Sequence, residues 1–329
     1  MLIITAPGQG AQTPGFLSAW LEHPGVAEQV GTWSELADRD LIRLGTVGTA
    51  EEITDTAVAQ PLIVAAALVA AGLLPGEPDA AVGHSVGELG AGVLAGVISA
   101  ADAMRLARVR GAAMASACDS EATGMTAVLG GDEETVLAAI EAAGLTPANV
   151  NGAGQIVAGG TLAQLEAFAA SPPPGARLRS LRVAGAFHTR HMASAVGALA
   201  AAASSGIVVK DPAITLLSNA DGRVVTSGQA WIERIVAQVA APVRWDLCMT
   251  AMQDMGVTAL LELPPAGTLT GLAKRGLKGV ETLALKTPDQ LDAAAAFIAA
   301  HSARASHASY ASHASHASHA ARPATKEAQ

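Results

Sequence analysis

The chain has 329 residues, of which 50% are hydrophobic and 15% charged, which is enough to bury a large core. Its 20 basic and 29 acidic residues give a net charge of -9. That balance excludes sequence-independent binding of nucleic acid, which depends on Lys and Arg meeting phosphates. Without a recognisable secretory signal, and with apolar stretches too short to cross a membrane, the sequence predicts a cytoplasmic protein.

Hydrophobic patterning along the chain predicts an α/β fold. Short apolar runs that indicate strands alternate with longer helical patterns, and this alternation is typical of a mostly parallel sheet covered by helices. We therefore predict an α/β-hydrolase-like large subdomain formed by residues 1–123 and 186–300. Its predicted strands lie at 2–6, 80–82, 214–217, 258–263 and 281–285.

The rhythm changes between residues 124 and 185. A strand and a helix are followed by two short strands around ANVNGAGQIVAGG, then by a second helix and a last strand in RSLRV. The order β-α-β-β-α-β predicts a small ferredoxin-like subdomain inserted at 124–185. A cleft between it and the large subdomain is the expected substrate site.

Residues 301–329 form a low-complexity tail rich in Ala, Ser and His, and we expect it to be disordered. The tail holds five of the nine histidines, and three of them recur at every third position: His313, His316 and His319. This spacing is compatible with weak affinity for a transition metal, but a solvated tail is the simpler interpretation. No metal site is predicted.

The segment GHSVG at 83–87 matches the pattern G-x-S-x-G, in which small residues allow a sharp turn from a strand to a helix. An apolar strand precedes it and a helical pattern follows it. Such a turn exposes the hydroxyl of Ser85 in a cleft and directs free backbone N–H groups at any anion that forms there. Ser85 is therefore the predicted nucleophile.

A serine nucleophile needs a general base, and histidine is the usual one. Outside the tail the chain has four histidines: His23, His84, His188 and His191. His84 adjoins the serine and is expected to point away from it, and His23 lies in a polar stretch. His188 ends the apolar run VAGAF, whereas His191 lies one turn into the next helix, so the pattern favours His188.

Six separated motifs also carry a resemblance to a known family. They are PGQGAQ near the N-terminus, AQP at 59–61, GHSVGE at 83–88, Arg-Gly at 110–111, AFH at 186–188 and PVRW at 242–245. In order and spacing, over about residues 1–300, the chain resembles the malonyl-CoA:acyl-carrier-protein transacylases of fatty-acid and polyketide synthesis.

The resemblance implies a catalytic arrangement without an aspartate. Ser85 would attack a thioester while His188 takes its proton, and a backbone carbonyl, assigned by the motif PVRW to Arg244, would orient the histidine. The matching oxyanion hole consists of the backbone N–H groups of Gln9 and Val86. Donors of this kind are each worth about 3 kcal/mol of barrier in acyl transfer.

The resemblance also implies residues that bind the substrate. From its local pattern Arg110 is an exposed helical arginine like Arg105 and Arg108, but the family register assigns it to the malonyl carboxylate, which a guanidinium holds through two parallel N–H···O bonds. Gln60 and Asn151 match positions lining the acyl pocket. Phe187, before the active histidine, favours malonyl over methylmalonyl because its ring fills the space of a methyl branch.

The expected partners are malonyl-CoA and acyl carrier protein, with no cofactor, nucleic acid or membrane, and a monomer is the simplest expectation. Carrier proteins of this kind are acidic, so basic residues are candidates for docking them: Arg177, Arg179, Arg182, Arg190, Lys274, Arg275 and Lys278. Two alternatives are a serine esterase of the α/β-hydrolase type and an inactive carrier-binding module. The first usually has a late histidine, and none occurs from 192 to 300; the second would not need Ser85, His188 and Arg110.

Overall fold

The computed structural model describes residues 1–302, so the prediction of a disordered tail lies, from residue 303 onwards, outside the described residues. The strands are β1 (Leu2–Ala6), β2 (Ala80–Gly83), β3 (Thr123–Gly130), β4 (Thr146–Gly152), β5 (Gln155–Thr161), β6 (Ala176–Ser180), β7 (Thr215–Leu216), β8 (Val243–Arg244), β9 (Ala259–Glu262) and β10 (Glu281–Ala284).

Helices connect the strands, and two short 3-10 turns, Arg190–Met192 and Pro288–Gln290, each lead directly into a helix. The α-helices are α1 (Ser18–Leu21), α2 (Val26–Ala37), α3 (Leu41–Val47), α4 (Ala50–Thr54), α5 (Thr56–Leu73), α6 (Gly87–Leu94), α7 (Ala100–Cys118), α8 (Glu133–Ala142), α9 (Leu162–Ala170), α10 (Ala193–Ala203), α11 (Gly228–Gln238), α12 (Trp245–Asp254), α13 (Thr268–Gly276) and α14 (Leu291–His301).

The first sheet has five parallel strands in the order β10-β9-β1-β2-β7. In β1 the side chains of Leu2 and Ile4 enter one hydrophobic core, and that of Ile3 enters a second core on the opposite face. Helices cover both faces, which is why the strands read as continuous apolar runs rather than as alternating patterns. The predicted α/β fold with a mostly parallel sheet is confirmed.

Helix α5 lies in the larger of these cores. By length and composition it is the one helix in residues 1–302 that would suffice to cross a membrane, but 72% of it is buried inside the protein. Its neighbour α7 packs closely against it at Gly111. A Cβ at that position would lie only 2.8 Å from the backbone oxygen of Thr56, so the contact leaves no room for a side chain. The helix therefore has the surroundings of a core helix.

The second sheet has the order β6-β3-β5-β4-β8. Strands β3 to β6 pair with one another antiparallel, and α8 and α9 cover one face, so the predicted ferredoxin-like unit is present. A fifth strand, β8, comes from beyond the insertion and pairs parallel with β4. The last strand of the unit is Ala176–Ser180, slightly earlier than predicted. The boundaries at 124 and 185 remain predictions.

Candidate active site

Ser85 sits on a sharp turn between β2 and α6, and its backbone φ of 56° lies in the left-handed region. Both flanking glycines are required by close contacts. A Cβ on Gly87 would lie 2.1 Å from the backbone oxygen of Ala6, and one on Gly83 would lie 2.0 Å from the backbone of Gly87. The motif G-x-S-x-G therefore encodes a nucleophile elbow that presents the serine side chain at the end of the strand.

His188 faces this serine, with its Nε2 atom 2.7 Å from the Oγ atom of Ser85. The imidazole is buried, and its Nδ1 atom lies 2.8 Å from the backbone oxygen of Gln238. Because a carbonyl can only accept, Nδ1 carries the proton and Nε2 is left to accept from the serine hydroxyl. The pair has the geometry of a nucleophile and its general base.

The carbonyl that orients the histidine belongs to Gln238, so the assignment of this role to Arg244 is wrong. Gln238 is the last residue of α11, where a backbone oxygen has no partner four residues further along the helix; it accepts from the N–H of Ala241 at 3.2 Å and can also accept from His188. The backbone of Arg244 instead donates to the oxygen of Asn219, and its guanidinium pairs with Asp246 at 2.7 Å.

The surroundings keep the imidazole neutral. Burial, reinforced by the positive charge of Arg110, lowers the pKa of His188 to about 3. The unprotonated form therefore prevails at neutral pH, as a base requires. In the unfolded chain the imidazole takes up a proton near pH 6.5, whereas in the folded protein it does so only near pH 3. Protonation therefore favours the unfolded chain, and His188 makes the free energy of unfolding decrease as the pH falls from 6.5 towards 3.

Arg110 is buried beside the nucleophile, unlike Arg105 and Arg108, which are exposed on the same helix. One terminal nitrogen donates to the Oε1 atom of Gln60 at 2.7 Å. The other lies 2.9 Å from Oε1 of Gln238 and 3.3 Å from Oγ of Ser85. The Nε–H of Arg110 has no partner among the described residues. Although burial lowers the pKa of Arg110 to about 10, the group stays cationic at neutral pH.

Three residues that the sequence did not single out complete the site. The side chain of Asn219 accepts a hydrogen bond from the backbone N–H of Ser85 at 2.8 Å and donates to the oxygen of Gly83 at 2.7 Å. The carboxyl of Glu88 accepts from the backbone N–H of Asn219 at 2.9 Å and from the side chain of Gln238. Burial raises the pKa of Glu88 to about 8, and the charge of Arg110 opposes that rise.

The other predicted residues lie around the same cleft. Phe187 forms part of its wall, and Asn151, on β4, lines it while its Oδ1 atom lies 3.0 Å from Nε2 of His84. Gln60 is not among the residues that line the cleft; it contacts the site through its hydrogen bond with Arg110. The backbone N–H groups of Gln9 and Val86 donate no hydrogen bond within residues 1–302.

The cleft itself runs between the two sheets. Side chains from β4 and β5 form one wall, the start of α13 contributes to another, and Ser85 and His188 are part of the lining. Its lining comprises Gly8, Gln9, His84, Ser85, Met114, Met125, Asn149, Asn151, Gln155, Val157, Leu181, Val183, Phe187, His188, Thr268, Leu269 and Leu272.

A parallel α/β sheet with a serine elbow, a histidine held by a carbonyl and an inserted ferredoxin-like unit defines an acyltransferase, and the chain matches the acyl transferase domain family over residues 6–321. It is 55% identical over 301 residues to the malonyl CoA-acyl carrier protein transacylase of Mycobacterium tuberculosis, covering 90% of this chain and 99% of that one. The Escherichia coli K12 protein of the same name is 34% identical over 88% of this chain and 96% of its own. The chain belongs to the family of malonyl CoA-acyl carrier protein transacylases.

Solved structures agree. The crystal structure of the Mycobacterium tuberculosis enzyme superposes with a TM-score of 0.86 at 55% identity, covering 89% of this chain and 99% of that one. A malonyl-transacylase solved in complex with a type II polyketide acyl-carrier protein superposes with a TM-score of 0.83 at 30% identity, covering 90% and 99% of the two chains.

Proposed function

We propose that this chain transfers the malonyl group of malonyl-CoA to the phosphopantetheine thiol of an acyl carrier protein, by a ping-pong mechanism through a malonyl ester of Ser85. The observation that carries the proposal is the buried Arg110, whose guanidinium lies 3.3 Å from the Ser85 hydroxyl and whose Nε–H has no partner among the described residues. A buried cation with an unused donor is costly unless an anion joins it. The free carboxylate of a malonyl thioester is such an anion.

In the first half-reaction His188 takes the hydroxyl proton as the serine oxygen attacks the thioester carbon. Charge develops on the carbonyl oxygen, and the free N–H groups of Gln9 and Val86 are the candidate donors to it. The C–S bond then breaks, and the CoA sulfur leaves with the proton held by His188. The malonyl group remains on Ser85 with its carboxylate at Arg110.

The second half-reaction reverses these steps with a new thiol. His188 takes the proton of the carrier's pantetheine thiol, and the sulfur attacks the ester carbon of malonyl-Ser85. The C–O bond breaks and the serine oxygen recovers its proton from His188. One base at one nitrogen serves both halves, because each leaving group needs the proton that the attacking group has just lost.

Intact-protein mass spectrometry tests this mechanism. We expect malonyl-CoA to add one malonyl mass to the wild-type chain and none to the Ser85→Ala variant, and we expect added carrier protein to remove the adduct and acquire it. The proposal fails if no adduct depends on Ser85. An adduct that water removes as fast without the carrier as with it would identify a thioesterase instead.

We further propose that the acidic carrier docks on basic residues at the mouth of the cleft. Arg177 and Arg179 lie two residues apart on the exposed edge strand β6, and Arg182 follows beside Val183, which lines the cleft. Lys274 and Arg275 lie in the last turn of α13, whose start lines the cleft from the other side, and Lys278 follows two residues after the helix. Arg190 lies two residues after His188. All seven are exposed, and none forms a salt bridge within the described part of the chain.

Charge reversal tests the docking surface. We expect the double change Arg179→Glu and Arg182→Glu to raise the KM for carrier protein about tenfold or more, since attraction at two positions becomes repulsion. The measurement starts from malonylated enzyme, so that binding of CoA does not contribute. Arg39→Glu, at an exposed arginine between α2 and α3, is the matched control. An unchanged KM for carrier in the double variant would refute this surface.

A further inference from the structure

Glu88 is a buried carboxyl that the mechanism above does not use. It lies three residues after the nucleophile, in the first turn of α6, and is 1% exposed. No lysine or arginine side chain is bonded to it within residues 1–302; its two oxygens accept instead from the backbone N–H of Asn219 and from Nε2 of Gln238. A buried acidic group without a paired cation calls for a specific reason.

The side-chain amide of Gln238 bridges Glu88 and Arg110. Its Nε2 atom donates to Glu88, and its Oε1 atom accepts from the guanidinium of Arg110 at 2.9 Å. A guanidinium can only donate, and both oxygens of Glu88 accept, one from Asn219 and the other from Gln238, so one orientation of the amide satisfies both neighbours. The flipped amide would set N–H against N–H at Arg110 and oxygen against oxygen at Glu88. Glu88 thus dictates which end of the amide faces the arginine.

We infer that Glu88 is a positioning residue for malonyl recognition: through the amide of Gln238 it holds the guanidinium of Arg110 beside Ser85. The inference rests on the proposed function, in which Arg110 binds the malonyl carboxylate. The backbone oxygen of Gln238 also orients His188. Gln238 therefore links Glu88 to both the general base His188 and Arg110.

The change Glu88→Gln separates the two hydrogen bonds of the carboxyl. The oxygen of the new amide still accepts from the N–H of Asn219, which keeps the elbow support of Ser85. Its nitrogen faces Nε2 of Gln238 and favours the flipped orientation there, which removes the acceptor from Arg110. Positioning of the guanidinium is lost while the shape of the core is kept.

The test compares kcat/KM for acylation by malonyl-CoA with that by acetyl-CoA, which presents no carboxylate to Arg110. In Glu88→Gln we expect the malonyl-to-acetyl ratio to fall about 10- to 100-fold, the range for losing a hydrogen bond to a charged group. In an Arg110→Ala background the same change should leave the malonyl-to-acetyl ratio unchanged, because Glu88 affects this ratio through Arg110. Gln238→Met, which retains the backbone oxygen that orients His188, should reproduce the lower ratio if Glu88→Gln does not fold.

Two results would overturn the inference and leave Glu88 a purely structural residue. One is that Glu88→Gln lowers kcat/KM for malonyl-CoA and acetyl-CoA by the same factor. The other is that Glu88→Gln lowers the malonyl-to-acetyl ratio as much in the Arg110→Ala background as in the wild type. The wild-type chain separates this failure from failure of the proposed function. If the wild type itself does not prefer malonyl-CoA, the proposed function fails, whereas a preference that Glu88→Gln and Gln238→Met leave intact removes only the role of Glu88.

Discussion

Replacing His188 by alanine is expected to slow acylation of Ser85 by on the order of 10⁴-fold, because a serine hydroxyl without a base is a poor nucleophile. The Nε2 atom of His188 lies 2.7 Å from the hydroxyl oxygen, and no other titratable base is bonded to that oxygen among the described residues. The second partner of the hydroxyl, Arg110, is cationic and can only donate. Loss of the imidazole therefore leaves no acceptor for the proton.

Rapid-quench measurement of the malonyl adduct at neutral pH gives the rate. His191→Ala is the matched control, since it removes a histidine three residues away whose Nδ1 atom instead contacts Glu121 at 2.8 Å. We expect that variant to acylate within a few-fold of wild type. Similar rates for the two variants, or a larger loss in His191→Ala, would contradict the assignment of His188 as the base.

The parts of the fold that the sequence predicted are those that local patterns specify. β1, β2 and β9 are buried on both faces, so each reads as an apolar run. The elbow was predictable for a related reason: the sharp turn brings backbone too close to Gly83 and Gly87 for a side chain at either position, and both glycines are visible in the sequence. The order of elements in the inserted unit was also predicted, because its strands and helices are short and follow one another directly.

Long-range polar contacts left no such signal. Asn219 and Gln238 are ordinary polar residues after a strand and at the end of a helix, and only the packing of β7 and α11 brings them to the elbow. The same holds for β8, a two-residue strand that joins the second sheet from beyond residue 185. Arg110 has the local pattern of an exposed residue, and its burial depends on Gly111 bringing α7 close to α5.

Replacing Arg110 by alanine is expected to lower kcat/KM for malonyl-CoA by about 10²- to 10⁴-fold, the cost of losing two hydrogen bonds to a charged group. Acetyl-CoA has no carboxylate, so its acylation loses no such contact. It gains a stronger base instead, because the charge of Arg110 contributes to the low pKa of His188. We therefore expect the preference for malonyl-CoA to be abolished or reversed.

The same electrostatics couples recognition of the malonyl group to the chemical step. When a malonyl carboxylate neutralises Arg110, the charge that disfavours the imidazolium is compensated and His188 accepts the serine proton more readily, whereas acetyl-CoA leaves that charge uncompensated.

The matched control is Arg108→Ala, which removes an exposed arginine on α7 and should leave the acylation rates with both thioesters unchanged. The measurement is the acylation rate of each variant with each thioester. If Arg110→Ala slows both thioesters by the same factor, the guanidinium does not recognise the carboxylate, and its burial beside Ser85 requires another explanation.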